Sequence, residues 1–184
     1  MADSNITKKA LALALKQLME EMPFEKITVA HICEKCNMHR KSFYYHFKDK
    51  YDLVNWIFDT DFIALTINEA SIQSYNGSFK FIQTVCSYFY ENRKFYRKAF
   101  QIKGQNSFSE HFREYIQPLL RNRMANILED ENVDPFFVDF FTDATLCMIE
   151  HWLLDKDCMP PEQFIAKLKD LVEHTVSSIS KMMN

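Results

Sequence analysis

Between positions 28 and 50 the chain carries side chains suited to gripping nucleic acid, at spacings that a short helix can use. Arg40 and Lys41, near a helix N-terminus, can reach guanine edges or phosphates. Ser42, Tyr44, Tyr45 and His46 carry compact donors that fit phosphate oxygens. Thr28, His39, Lys48 and Lys50 flank this group. From Lys35 to Lys50 there are five Lys or Arg against one acid, Asp49. Arg40, Lys41 and Tyr44 are the expected base contacts. Thr28, Ser42, Tyr45, His46 and Lys50 are the expected phosphate contacts, with His39 and Lys48 beside them. The plain alternative is a solvated basic face on an ordinary helix pair.

Two short helices must hold these groups. Thr28 can cap the first with its hydroxyl. Val29, Ile32, Cys33 and Cys36 recur at helical spacing and form one apolar face. Asn37 stands where the chain reverses, and Asn tolerates the left-handed conformation better than most residues. Met38 plugs the turn. In the second helix Phe43 points inward while Arg40, Lys41 and Tyr44 point out. Together these features spell a helix-turn-helix.

Residues 6–53 resemble the N-terminal domain of the TetR-type bacterial transcription regulators. That domain runs from an apolar helix, through a Thr-initiated helix, to a recognition helix ending in Tyr-x-His-Phe-x-x-Lys, which here is Tyr44, His46, Phe47 and Lys50. Residues 23–29 look like a Gram-positive branch, and residues 56–62 are similar to activators of dihydroxyacetone-kinase operons. Two positions depart from the pattern. Asn37 replaces the usual Gly of the turn. His39 replaces the usual Ser or Thr, which weakens the cap of the recognition helix.

The resemblance implies an all-α fold of about nine helices. Residues 1–53 would form a three-helix helix-turn-helix DNA-binding domain, and residues 54–184 a helical effector and dimerisation domain. It implies a homodimer on double-stranded DNA with a palindromic operator. Control would come from a small-molecule effector in the C-terminal domain, or, in the dihydroxyacetone-kinase branch, from a protein coactivator. A protein-interaction module that binds no DNA is the competing reading.

Composition agrees with helices. The 184 residues are 47% hydrophobic with 17 Phe and 8 Tyr, but only 2 Gly and 5 Pro. Such a chain can bury a core and has too few turn formers for a loop-rich β fold. Residues 1–53 carry 9 basic and 7 acidic side chains; residues 54–184 carry 13 and 18. A mildly basic head on an acidic body suits DNA contact at one end. No signal peptide or membrane span is evident, and five Cys without a dense framework point to a reducing cytoplasm.

The periodicity predicts a first helix capped by Ser4 or Asn5 and ended by Pro23, with Leu11, Ala14, Leu15 and Leu18 on its buried face. A connector helix capped by Asp49 should run to about Ser71. Loops are expected at 74–78 and 103–107, with two helices between them broken near Asn92 and Arg93. A helix over 108–128 contains Pro118 and should kink there. The last two helices start at Pro135 and at Pro160–Pro161. Both are apolar enough to form a four-helix bundle with their symmetry mates. Phe140, Met148, Trp152, Phe164, Leu168, Leu171 and Val172 are the expected dimer surface.

Other chemistry finds little support. Cys33 and Cys36 form a C-x-x-C without a second pair, so packing is preferred to zinc or redox work. Glu110, His111, Glu114, Glu150 and His151 could supply an acid–base or metal site, but such groups are mostly exposed or paired. No phosphate-cradling Gly-rich loop or nucleophile elbow occurs. No cofactor, metal or catalytic activity is expected. The aromatics of 79–100 could line an effector cavity, although rings at helical spacing are more often core.

Overall fold

The computed structural model describes residues 2–67, 75–104 and 106–182. Among these residues there are nine α-helices and no strand. Helix α1 is Ala2–Glu21, followed by a 3₁₀ turn at Phe24–Lys26; α2 is Val29–Lys35, α3 is Arg40–His46 and α4 is Lys50–Ile67. Then come α5 (Tyr75–Glu91), α6 (Arg93–Phe100), α7 (Phe108–Leu128), α8 (Pro135–Leu154) and α9 (Pro161–Met182).

Local signals set most of the ends. Asp49 caps α4, its Oδ1 accepting from the N–H of Tyr51 at 2.8 Å and of Asp52 at 2.9 Å. Asp52 returns the favour to the N–H of Lys48 at 2.9 Å. Ser107 caps α7 through the N–H of Glu110, and Asp134 caps α8 ahead of Pro135 at its first position. Gly104 adopts φ 113° in the loop before α7, a conformation that a side chain would strain. Pro118 stands inside α7.

Two boundaries differ from expectation. Helix α1 begins at Ala2, so Ser4 and Asn5 lie within it rather than capping it; nothing before them breaks the helix. Helix α5 begins at Tyr75, so the loop expected at 74–78 is helical from there on, with Gly77 inside the first turn. A Gly costs a helix about 1 kcal/mol, less than the burial of Val85, Cys86 and Phe89 further along returns. The connector α4 is described to Ile67, and its expected end near Ser71 lies outside the described residues.

One contiguous core runs from Leu11 and Leu15 on α1, through Ile32 and Phe43, to Ile149 and Phe164. Its centre is aromatic. Phe58 of α4 meets Phe108 at 5.4 Å and Phe112 at 5.3 Å between ring centroids; Phe89 meets Tyr96 at 4.7 Å and Phe112 at 5.3 Å. Edge-to-face contacts of this kind add to the area each ring buries. Phe89, Phe95, Tyr96 and Phe100, weighed above as cavity lining, are therefore packed core. The side chains of Phe79 and Phe81 lie outside the described residues.

The expected dimer residues divide. Trp152 is 5% exposed and Phe164 8%, and the two rings stack on each other at 4.5 Å. The Trp152 indole donates to the carbonyl of Met159 at 2.8 Å. Both are thus internal to the subunit, because α8 carries apolar residues on two faces and one of them packs against α6 and α7, with Phe164 of α9 closing over Trp152. Met148 and Leu168 are half-buried, while Phe140 and Leu171 are exposed. The side chain of Val172 lies outside the described residues. Residues absent from the expected set share the open face: Phe136, Phe137 and Phe141, which with Phe140 are 48–69% exposed.

Candidate nucleic-acid interface

Helix α3 is clamped from behind and open in front. Phe43 is fully buried and meets Phe47 at 5.7 Å; Phe47 in turn meets Trp56 of α4 at 5.7 Å. The ammonium of Lys8 lies 5.9 Å and 5.7 Å from those last two rings, tying α1 to the same spot. On the open side Arg40, Lys41, Tyr44 and Tyr45 are exposed, Tyr44 to 59% and Tyr45 to 82%. Ser42 and His46 are half-buried at the flank, and the His46 ring meets Tyr45 at 4.8 Å. A seven-residue helix thus presents two cations and two phenols to solvent. Lys48, also exposed, follows directly.

The turn before α3 has the form that the sequence predicts. Asn37 takes φ 53°, in the left-handed region. The N–H of Met38 donates to the Cys33 carbonyl at 2.8 Å and closes the reversal. His39 occupies the cap of α3 with extended backbone and gives no side-chain hydrogen bond to it. At the start of α2 the Thr28 hydroxyl accepts from the N–H of His31 at 3.2 Å, and His31 Nδ1 accepts from the N–H of Thr28 at 3.4 Å. This is a capping box with His in the place of the usual Glu or Gln. The thiol of Cys36 donates to the Ile32 carbonyl at 3.2 Å. Burial pushes the pKa values of Cys33 and Cys36 up, which keeps both as packed thiols.

Two sequence models match this chain: "Bacterial regulatory proteins, tetR family" over residues 10–57, and "Transcriptional regulator C-terminal region", a TetR C-terminal model, over residues 77–174. The chain belongs to the TetR family of bacterial transcriptional regulators. A relative from Lactococcus lactis subsp. lactis (strain IL1403), the HTH-type dhaKLM operon transcriptional activator DhaS, is 28% identical over 158 residues, covering 81% of this chain and 80% of that protein. Among solved structures, a dihydroxyacetone kinase operon activator DhaS aligns with TM-score 0.63 at 22% identity, over 94% of this chain and 97% of the other. A TetR transcriptional regulator from Streptococcus agalactiae 2603V aligns with TM-score 0.67 at 19% identity, over 93% and 96%. These structural likenesses show the TetR-like fold. The resemblance read from the residues, including its dihydroxyacetone-kinase branch, agrees with these matches.

Within this TetR-type head, Lys50 has a role that its sequence position conceals. Its ammonium donates to the carbonyls of Phe24 at 2.7 Å, Ile27 at 2.8 Å and Glu25 at 3.3 Å, and lies 4.3 Å from the Phe24 ring. Three N–H bonds with three acceptors inside the chain leave none for a phosphate. Burial lowers the Lys50 pKa against the pull of Glu25 and Asp49. Lys50 thus straps the 3₁₀ turn to the start of α4.

Of the acid–base candidates, His111 pairs within the chain. His111 Nε2 lies 2.6 Å from Asp59 Oδ1, joining α7 to α4, and that hydrogen bond raises its pKa despite partial burial. Arg113 donates to Asp143 at 2.8 Å and to Asp139 at 3.0 Å, joining α7 to α8. Among the described residues no group of three His, Cys, Asp or Glu is placed to hold a metal ion, and no helix is long and apolar enough to cross a membrane.

Proposed function

We propose that this TetR-family regulator binds a palindromic operator as a homodimer, with one α3 in each of two successive major grooves, about 34 Å apart. Arg40, Lys41 and Tyr44 take the base edges. Thr28, Ser42, Tyr45, His46 and Lys48 take the phosphates, with His39 beside them, and Lys50 holds the scaffold. The observation that carries this reading is the exposed, basic and phenolic front of α3, fixed from behind by Phe43. The head extends to about residue 53 and the body from 54 to 184. Because that boundary falls inside α4, any movement of the body reaches the head through a continuous helix.

The second copy would sit on α8. Phe136, Phe137, Phe140 and Phe141, with Ala144 and Cys147 beside them, form an exposed stripe that a symmetry-related bundle can bury.

The activator named among the relatives suggests activation of an operon for dihydroxyacetone kinase. The ring-packed centre of the body favours a signal delivered at the surface by a protein coactivator. A small-molecule effector in the C-terminal domain is the competing reading.

A gel shift on the chain's own upstream DNA, with random duplex as competitor and a salt series, tests the reading. Preferential binding that weakens as salt rises is expected. No preference there, and nothing recovered in a selection from random duplexes, would point to a protein-interaction module instead.

A further inference from the structure

The aromatic centre of the molecule is interrupted by one polar chain that crosses four helices. Lys16 on α1 donates to Asp61 Oδ2 on α4 at 3.0 Å. The Tyr88 hydroxyl on α5 donates to the same oxygen at 2.9 Å. The hydroxyls of Tyr88 and Tyr96, the latter on α6, lie 2.5 Å apart. A phenol has one proton. Since Tyr88 gives its own to Asp61, Tyr96 must be the donor in the last link. Every proton in the chain therefore points towards the carboxylate of Asp61. The relay starts at an ammonium and a carboxylate that are each about one-third exposed and ends at a fully buried ring.

The residues come from different parts of the chain. Lys16 belongs to the stretch matched by the N-terminal family model, and Tyr88 and Tyr96 to the stretch matched by the C-terminal one. Asp61 lies between the two matches. Apolar faces that pack on one another tolerate small slides, but hydrogen bonds weaken steeply with length and misalignment. A fully satisfied polar network in an apolar setting therefore specifies one arrangement of the elements it joins, and an unpaired member there is costly.

We propose that Lys16, Asp61, Tyr88 and Tyr96 act as positioning residues that fix the placement of the DNA-reading head on the body, and so the separation of the two recognition helices. This rests on the reading of the chain as a DNA-binding dimer. Asp61 is the centre of the latch. A partner that shifts α5 or α6 moves Tyr88, and Asp61 then carries the shift to α4 and to α1.

The test uses the full chain and an operator recovered from random duplexes, remade with its half-sites one base pair closer and one base pair further apart. Asp61→Asn keeps the shape and removes the charge on which the chain converges. Tyr88→Phe removes one hydroxyl. Lys16→Arg keeps the cation. Lys94→Ala, which removes the exposed pair with Glu20 between α6 and α1 at 3.5 Å, is the control.

Asp61→Asn should reduce the preference for the native spacing about tenfold, Tyr88→Phe by less, and Lys16→Arg and the control hardly at all. The salt slope should stay unchanged, because no phosphate contact is altered. Spacing preference that holds in both Asp61→Asn and Tyr88→Phe while melting temperature falls would make the network structural only and overturn the proposal. If Asp61→Asn fails to fold, Tyr88→Phe decides. A parent chain that binds no DNA at all would remove the function proposed above and the latch with it. A parent that binds, with variants that keep its spacing, removes the latch alone.

Discussion

Two surfaces of this regulator expose large aromatic rings, and they differ in what surrounds the rings. On α3 the rings are Tyr44 and Tyr45, each with a hydroxyl, beside Arg40 and Lys41. On α8 they are Phe136, Phe137, Phe140 and Phe141, bare hydrocarbon whose neighbouring carboxylates Asp139 and Asp143 are held by Arg113. A phenol among cations can stack, donate and sit beside phosphate. A row of phenylalanines can only be dried by another apolar surface. Exposure alone would rank the two faces alike; the chemistry at the ring edges tells them apart.

The sharpest way to break this comparison is to put charge on the second face. Phe140 is 58% exposed, so Phe140→Asp should leave the subunit folded. Burying that carboxylate against a second copy should weaken dimerisation by about 100-fold or more. Sedimentation would read the loss, and operator affinity should fall with it. A variant that remains dimeric at the parent's concentration places the interface elsewhere.

The next effect concerns the first face. Arg40→Ala should cost about 1–3 kcal/mol of discrimination at one operator position. Lys48→Ala should weaken every sequence alike and lower the salt slope by about one. Competition gel shifts with operator point variants separate the two patterns. Identical behaviour of both variants would mean that α3 grips DNA without reading it.

Lys50 tests which side of the comparison a cation belongs to. If it straps the 3₁₀ turn to α4, Lys50→Met should cost about 1–3 kcal/mol through carbonyls left without their charged donor. For a chain of 184 residues that corresponds to a drop in melting temperature of about 2–12 °C. A variant with the parent's melting temperature and a reduced salt slope would return Lys50 to the phosphate contacts.

Lys50 also marks where sequence stops being informative. Beside Lys48, in a basic run ending at a helix start, it has every feature of a surface cation. Its acceptors lie on a turn more than twenty residues earlier, and no periodicity in the sequence records that proximity. Trp152 and Phe164 teach the same lesson from the apolar side. Spacing identifies a hydrophobic face but not what covers it, and α8 has two such faces: Val138, Ile149, Trp152 and Leu153 turn inward, the phenylalanines outward. What was legible was local. Thr28, Asn37 and Asp49 act through the backbone within a few residues of themselves, so their types and positions sufficed for the turn and both caps. The capping partner His31 was missed because Glu or Gln normally fills that place.

The smallest expected effect lies between the two surfaces, where the head-bearing α4 meets α7. His111 and Asp59 pair there at 2.6 Å, with Glu114 and Asp52 adding to the negative field around the imidazole. The hydrogen bond to Asp59 raises the folded-state pKa above the ordinary histidine value of about 6.5. Folding therefore favours the protonated form. The stabilisation is fully present below about pH 6.5 and is lost as pH rises through the higher folded-state value. Both partners are partly exposed, so water screens the pair and the change should be small, about 2 °C in melting temperature. His111→Gln should flatten the pH dependence of melting across this range and leave the oligomeric state unaltered. If the variant keeps the parent's pH profile, the junction of head and body does not depend on this charge, and the polar chain at Asp61 becomes the firmer of the two connections.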